Sequence, residues 1–274
     1  MFAVVFSVED PAGRGIAEYV VKKLSLGKMC ACNNCAVCYM HDKFILAGFR
    51  EDVIEFDFLD NVMPSNISFY IVASRHSSEA EIKSFTVHFT GNYGEEAKYG
   101  GKPRELGIAH PQVGWFFLNA LSRMARAFKK DFEVSYEATH HGPTSLSKPV
   151  IFVEIGSTSK EWEDPGNHAV VGSTLLEFVS AYPELPWCTP AIGIGGGHYP
   201  RKHTELALRS SICYGHILPK YALQYLTREI LEMMRTRCLA TISRIVVEKK
   251  GTRLEHRILV EEYAKSVNLE VEYI

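Results

Sequence analysis

Four histidines at strand ends and one carboxylate carry most of the chemistry that this sequence offers. His88 closes the apolar run Phe85–Phe89, and His140 and His141 follow the alternating run 132–138. His198 follows Gly193-Ile194-Gly195-Gly196-Gly197, and Glu154 lies near the end of the continuous apolar run Val150–Ile155. Open α/β sheets place their ligand crevices at the carboxyl ends of strands, so these residues are candidates for one crevice. Three neutral imidazoles and a carboxylate suit a zinc ion that keeps one position for water. The same residues also suit a polar crevice with one histidine as acid or base, and residue types alone do not separate the two. Adjacent histidines on a regular strand face opposite ways, so His140 and His141 can share an ion only if the chain turns there, as Pro143 allows.

The motifs that would assign other chemistries are missing. The sequence has no His-Glu-x-x-His pair, no Gly-x-Ser-x-Gly elbow and no Walker phosphate loop. The glycine run before His198 lacks the sixth-position glycine of a dinucleotide fingerprint. It reads instead as an amide nest, in which Gly195, Gly196 and Gly197 face an oxyanion or phosphate and Arg201 and Lys202 add positive field. Ser157, Thr158 and Ser159 read as a cap rather than as nucleophiles.

The elements that must position these groups alternate between strand and helix. Short β-branched and aromatic runs at 3–8, 44–49, 67–73, 85–89, 132–138, 150–155, 191–194 and 213–217 predict strands. Helical spacing predicts helices over 111–130, 168–181, 203–211 and 221–238, another in the C-terminal part, and a last strand at 269–274. No linker or repeat divides the chain, which predicts one α/β layered domain over 1–274 with an insertion at 30–65. That segment holds Cys30, Cys32, Cys35 and Cys38, followed by His41. No second knuckle completes a zinc ribbon, and no Cys-Pro completes a ferredoxin-type set, so the cluster reads as loop thiols or a local structural zinc. Cys188, Cys213 and Cys238 read as ordinary buried positions.

Composition bounds the rest. The 274 residues are 46% hydrophobic and 23% charged, which excludes extended disorder. No apolar run has the length of a membrane span, and no secretory leader opens the chain, so a cytoplasmic protein without a membrane partner is expected. The net charge of −2 argues against a polyanionic partner only as a sum. Residues 97–130 carry 7 basic residues against Glu105 alone, and residues 198–260 carry 12 against 5. Lys102 and Arg104 lie in a Gly/Pro-rich stretch, as Arg201 and Lys202 follow three glycines, and such cations approach phosphates closely. Arg123, Arg126, Lys129 and Lys130 read as a solvated helix face.

The motifs that hold these residues resemble a known family. His88-Phe-Thr-Gly-Asn92, Tyr99-Gly-Gly-Lys-Pro-Arg-Glu-Leu106, Thr139-His-His-Gly-Pro-Thr144, Phe152-Val-Glu-Ile-Gly-Ser-Thr158, Gly193-Ile-Gly-Gly-Gly-His-Tyr199 and Tyr214-Gly-His-Ile-Leu-Pro-Lys220 occur in order. Together they are similar to the signature blocks of the archaeal and plant type of D-aminoacyl-tRNA deacylase; the cysteine cluster departs from that pattern. The resemblance implies a three-layer α/β/α sandwich with a mixed central sheet, phosphorylase/hydrolase-like. It implies zinc-dependent hydrolysis of the ester between a D-amino acid and tRNA, for which one or two Zn2+ per chain are expected, and a monomer is the expected state. Carried over to this sequence, His198, His141 and Glu154 are the expected catalytic residues. His140, His141, Glu154 and His198 are the expected metal ligands, with His88 and His216 behind them. Lys102, Arg104, Lys148, Arg201, Lys202 and Lys220 are expected on the tRNA phosphates. A zinc-dependent exopeptidase or amidase for small substrates, or a non-catalytic tRNA-binding module, would use parts of the same residue set.

Overall fold

The computed structural model describes residues 1–27 and 32–274, so Cys30 of the cysteine cluster lies outside the described residues. The first half runs β1 (Phe2–Ser7), α1 (Pro11–Leu24), β2 (Val37–Met40), β3 (Phe44–Phe49), α2 (Leu59–Val62), β4 (Tyr70–Ser77), β5 (Ser84–His88), β6 (Gly91–Asn92) and β7 (Glu105–Leu106). It continues with α3 (Pro111–Ala127), β8 (Glu133–Tyr136), β9 (Val150–Ser157), α4 (Ser159–Trp162) and α5 (Pro165–Ala181). The chain ends with β10 (Thr189–Ile194), α6 (Arg201–Arg209), β11 (Ile212–Leu218), α7 (Arg228–Thr236), β12 (Arg244–Val247), α8 (Leu254–Ser266) and β13 (Glu270–Tyr273).

Seven strands form a mixed sheet in the order β2-β3-β1-β4-β9-β5-β8, antiparallel only at β2/β3 and β5/β9. The expected insertion region thus supplies two strands of this sheet. Its inner strands are apolar on both faces because both faces are covered. Side chains alternate: Phe2, Val4, Phe6, Ile71, Ala73, Ile151, Val153 and Ile155 enter one core, which α1, α3 and α5 cover. Ala3, Val5, Tyr70, Val72, Val150 and Phe152 enter another core, closed by Phe56, Leu59 and Met63 from the segment around α2. The expected helix-flanked mixed sheet is therefore present. A second sheet, all parallel in the order β11-β10-β12-β13, was not legible as separate. It shares the first core through Tyr214 and Ile217 and buries Ile192, Ile194, Ile245 and Val247 against α7 and α8.

Two expectations fail locally. The helix expected over 221–238 is broken into a 3-10 turn at Lys220–Tyr225 and α7, because Thr227 caps a new helix by accepting the Ile230 amide at 3.3 Å. Cys188 and Cys213 are buried as expected, but they are not separate core residues. They form a disulfide that joins the entry of β10 to β11.

One aromatic ring organises the helical layer. Phe178 of α5 meets Phe2 at 5.1 Å, Phe117 at 5.0 Å, Phe116 at 5.4 Å and Tyr182 at 5.6 Å between centroids. It joins the first strand, α3 and α5 in one contact set. Phe178→Ala should lower stability by about 3–5 kcal/mol, the usual cost of removing a fully buried phenyl group. The shift in denaturant midpoint at unchanged m-value measures it.

Candidate functional site

The pleat of the sheet selects the site residues. On β4 and β9 the even-numbered positions face away from α1, α3 and α5, and beyond the apolar stretch they become Ser74, His76 and Glu154. On β5 the odd positions Phe85 and Val87 enter the helical core, so Thr86 and His88 share the face of Glu154. The register sets Ser74 and Thr86 directly beside Glu154 on either side. Glu137 follows β8 by one residue, and His140 and His141 follow in the loop.

That loop solves the problem of adjacent histidines. His141 has φ 42°, in the left-handed region, so the chain is no longer a strand and both rings turn toward His88. The ring centroids of His88, His140 and His141 lie 4.3–4.8 Å apart. Gly91 donates its amide to the carbonyls of His140 and His141 at 3.2 and 2.8 Å, and Gly142 donates to Tyr99 O at 3.0 Å. His198 arrives from the second sheet, and its carbonyl accepts the Ala138 amide at 2.9 Å.

Two buried carboxylates form the centre. Glu137 and Glu154 are 2% and 3% exposed. Glu154 accepts from Ser74 Oγ through Oε1 at 2.8 Å, whereas its Oε2 and both oxygens of Glu137 lack a well-formed hydrogen bond. Imidazoles surround these oxygens. His198 Nε2 lies 2.8 Å and His140 Nε2 3.5 Å from Glu137 Oε2. His76 Nδ1 lies 3.2 Å from Glu137 and 3.4 Å from Glu154, and its Nε2 meets the Tyr199 hydroxyl at 2.7 Å. His88 Nε2 lies 3.6 Å from Glu154.

The electrostatics follow from this packing. Burial opposes ionisation of both carboxylates, yet the neighbouring imidazoles outweigh it: His198 and His76 hold Glu137, and His76 and His88 hold Glu154, below the ordinary range. Burial likewise opposes charge on His76 and His88, but the two carboxylates prevail and raise both, His76 to about 9. His140 and His141 go the other way. Burial and the neighbouring imidazoles push both down, His141 to about 4. The carboxylates thus favour the charged forms of His76 and His88, and those imidazoles in turn favour ionised carboxylates.

The donor set also fits a divalent cation. Nδ1 of His88, His140 and His141 each faces a backbone carbonyl, at Phe89 (3.3 Å), Ala138 (2.8 Å) and Gly142 (2.6 Å). If each Nδ1 carries the proton, every Nε2 presents a lone pair, the arrangement that orients metal-binding histidines. Ligand atoms of His88, His140 and His141 lie within 4.8 Å of one another, as do those of His88, Glu137 and Glu154, and those of His76, Glu137 and His198. The orphaned oxygens of Glu137 and Glu154 and the bare His88 Nε2 are the atoms such a cation would satisfy.

Of the residues named from sequence, His88, His140, His141, Glu154 and His198 converge. His216 does not: it is fully buried, with Nδ1 3.2 Å from Thr139 Oγ1 and Nε2 3.1 Å from Arg237 O. Gly195, Gly196 and Gly197 do not line the cleft. The Gly195 amide donates to Leu218 O and the Gly196 carbonyl accepts the Lys220 amide, so these glycines turn the chain after β10 at φ 96° and 85°. Thr158 caps α4, with its amide and hydroxyl on Glu161. Sequence reasoning missed Glu137, His76 and Tyr199; the strand-end rule that found His88 would have found Glu137.

The cluster opens into a cleft of about 710 Å³ that Asp10, Arg50, Asp52, Arg75 and Tyr99 also line. Arg104 pairs with Glu95 at 2.9 Å, Arg201 with Glu133 at 3.1 Å, and Lys148 approaches Asp60 at 3.8 Å. Lys102, Lys202 and Lys220 are exposed and have no ion pair among the described residues.

Gly142 tests the loop that carries the paired histidines. A Cβ there would sit 2.3 Å from Gly101 N and 2.5 Å from Gly100 C, which are backbone atoms that cannot swing aside. Gly142→Ala should cost roughly 1–3 kcal/mol as the two loops separate. Gly27→Ala, where a Cβ meets nothing within 4 Å, should stay within about 0.5 kcal/mol. Paired denaturation curves compare the two.

Comparison with known proteins agrees with the motifs. A family model described as D-aminoacyl-tRNA deacylase matches residues 63–272. The D-aminoacyl-tRNA deacylase of Desulfurococcus amylolyticus is 55% identical over 276 residues, covering all of both chains. That of Staphylothermus marinus is 52% identical over 278 residues, covering 100% of this chain and 99% of the other. The crystal structure of a conserved protein of unknown function, AF0625, superposes with a TM-score of 0.91 at 32% identity, covering 100% of this chain and 95% of that one.

Proposed function

Because this chain belongs to the D-aminoacyl-tRNA deacylase family, we propose that it hydrolyses the ester of D-aminoacyl-tRNA and that the histidine–carboxylate cluster is where it does so. One observation carries the reading of the site: two buried carboxylates with orphaned oxygens converge with the histidines His76, His140, His141 and His198 that line one cleft. Zn2+ is the proposed cofactor, with His88, His140 and His141 as one candidate donor set and His88, Glu137 and Glu154 as another; bound there it would supply Lewis acidity at the ester and a more acidic water.

The chain's own residues divide the remaining tasks. His198 is the only cluster histidine standing within 3 Å of a carboxylate, with Nε2 2.8 Å from Glu137, and it is about one-third open to the cleft. It takes a proton from the attacking water and returns it to the departing ribose oxygen, while Glu137 stabilises the imidazolium between the two transfers. His76 bridges both carboxylates and is fixed from behind by Tyr199, so it is a positioning residue. Ser74 holds the orientation of Glu154. The buried walls of the sheet exclude bulk water from all but the open side.

The substrate's phosphates meet Lys102, Lys202 and Lys220 first, since Arg104 and Arg201 share their charge with Glu95 and Glu133. The reading places the enzyme in the cytoplasm with charged tRNA, acting as a monomer. Among the described residues no helix is long and apolar enough to cross a membrane.

The test of the reaction is turnover of matched D- and L-aminoacyl-tRNA before and after chelation, with metal content measured on the same sample. Fast release of the D-amino acid alone, lost on chelation and regained with Zn2+, is expected. Equal rates on both enantiomers would overturn the substrate assignment, and undiminished rates in metal-free protein would overturn the cofactor assignment. For the footprint, Lys202→Glu should make the log–log salt dependence of tRNA affinity shallower by about 0.7–0.9, the value of one lost phosphate contact. An unchanged slope would remove Lys202 from the interface.

A further inference from the structure

The cysteine segment lies on the sheet edge, away from the histidine cluster, and has no part in the chemistry above. We infer that Cys32, Cys35 and Cys38 form a second metal site, for a thiophilic divalent cation such as Zn2+ bound through thiolates. The three sulfur positions lie within 4.8 Å of one another. A tetrahedral zinc with Zn–S bonds of ~2.3 Å sets its sulfurs ~3.8 Å apart, so the group needs only small adjustments to close on an ion.

The sulfurs come from different places, and the backbone holds them there. Cys32 and Cys35 flank a turn whose third residue, Asn34, has φ 62°, and Cys38 belongs to β2 and is 4% exposed. The Asn33 amide donates to Val62 O at 3.2 Å, tying the turn to the end of α2, and Ala36 donates to Gly48 O at 2.8 Å, tying it to β3. His41 is turned away from the group: its ring stacks on Phe44, and its Nδ1 accepts the Lys43 amide. Cys32 and Cys35 are joined as a disulfide in the structure. Cys38 is buried and comes from β2, so the three sulfurs are drawn from a turn and a strand. The location gives the ion a task. β2 is the outermost strand of the large sheet, paired on one side only, so a metal staple between it and the preceding turn would fix that edge.

Conversion between the two forms balances. A dithiol reductant transfers two electrons and two protons to the Cys32–Cys35 bond and itself closes to a disulfide. The three thiols then each release a proton as the cation binds.

The experiment uses the full chain, reduced with a dithiol and loaded with Co2+ in place of Zn2+. Thiolate-to-cobalt charge-transfer absorption is expected, which the histidine–carboxylate cluster, having no sulfur, does not produce. Cys38→Ser should abolish that band and lower bound zinc by about one equivalent per chain, while turnover of D-aminoacyl-tRNA at moderate temperature stays within twofold. Absence of the band in the reduced wild-type chain, with its thiols open to titration, would overturn the site whether or not the variant folds. Persistence of the band in a folded Cys38→Ser chain would overturn the ligand assignment. Neither result bears on the deacylase reading, which has its own assay.

Discussion

Two carboxylates buried side by side, Glu137 and Glu154, are the constraint around which this protein is arranged. Ligand oxygens of the pair lie within 4.8 Å, where two unit charges repel by about 3–4 kcal/mol even at an effective dielectric constant of ~20. Desolvation adds several kcal/mol for each ion. Neither cost is tolerable without positive charge at the same place, and two sources can supply it. Positively charged imidazoles at His76 and His88, which the carboxylates favour, are one source, and a divalent cation held by the same donors would be the other. The five histidines are thus part of one electrical problem. His76 and His88 are pulled up by the carboxylates, while His140 and His141, pushed down, stay neutral and keep lone pairs available.

The fold meets this constraint by assigning opposite tasks to the two faces of one sheet. α1, α3 and α5 make the first face wholly apolar, and the same alternation that sends Ile71, Ala73, Ile151 and Val153 into that core sends Ser74, His76 and Glu154 the other way. Where the segment around α2 stops covering the second face, the apolar positions give way to polar ones and the cleft opens. The second sheet closes the site. The turn at Gly195 and Gly196 brings His198 onto Ala138, and Thr139 both donates its amide to Ile217 O and accepts the Ile217 amide through its hydroxyl. Glu137 and His198 therefore meet across a seam between two sheets, and their 2.8 Å contact depends on the rigidity of both.

Much of this was legible from strand ends, and the omissions have physical causes. An apolar run marks where a strand is buried, so it ended the strand at Ala73, although β4 continues to Ser77. The last residues of that strand are polar because they line the cleft, and His76 was lost for the reason that makes it functional. Glu137 was hidden by alternation, being one more polar residue after a run that already alternated. The family resemblance supplied the reaction, but it could not separate His216, a fully satisfied histidine in the same set of motifs, from the histidines of the cluster. The glycine run was read as an anion nest from composition. The hydrogen bonds show the Gly195 amide spent on Leu218 O and the Gly196 carbonyl on the Lys220 amide, and the three glycines stand outside the lining of the cleft.

Charge shows the same limit of one-dimensional reading. The basic segments 97–130 and 198–260 are real, yet a carboxylate from another element, or from just before the segment, offsets many of their cations. Glu133 meets Arg201, Glu177 meets Arg123, Asp164 meets Lys130, and Glu95 meets Arg104. Exposed pairs of this kind add little stability, of the order of 0–1 kcal/mol each. Their larger consequence is to remove long-range attraction where it is not needed. Among the exposed cations of these segments with no ion pair among the described residues are Lys102, which follows Gly100-Gly101, Lys202 in the first turn of α6, and Lys220, whose amide donates to Gly196 O. A net charge of −2 is therefore a sum over unevenly distributed charges, and the ion pairs, not the segment totals, decide which cations keep their field.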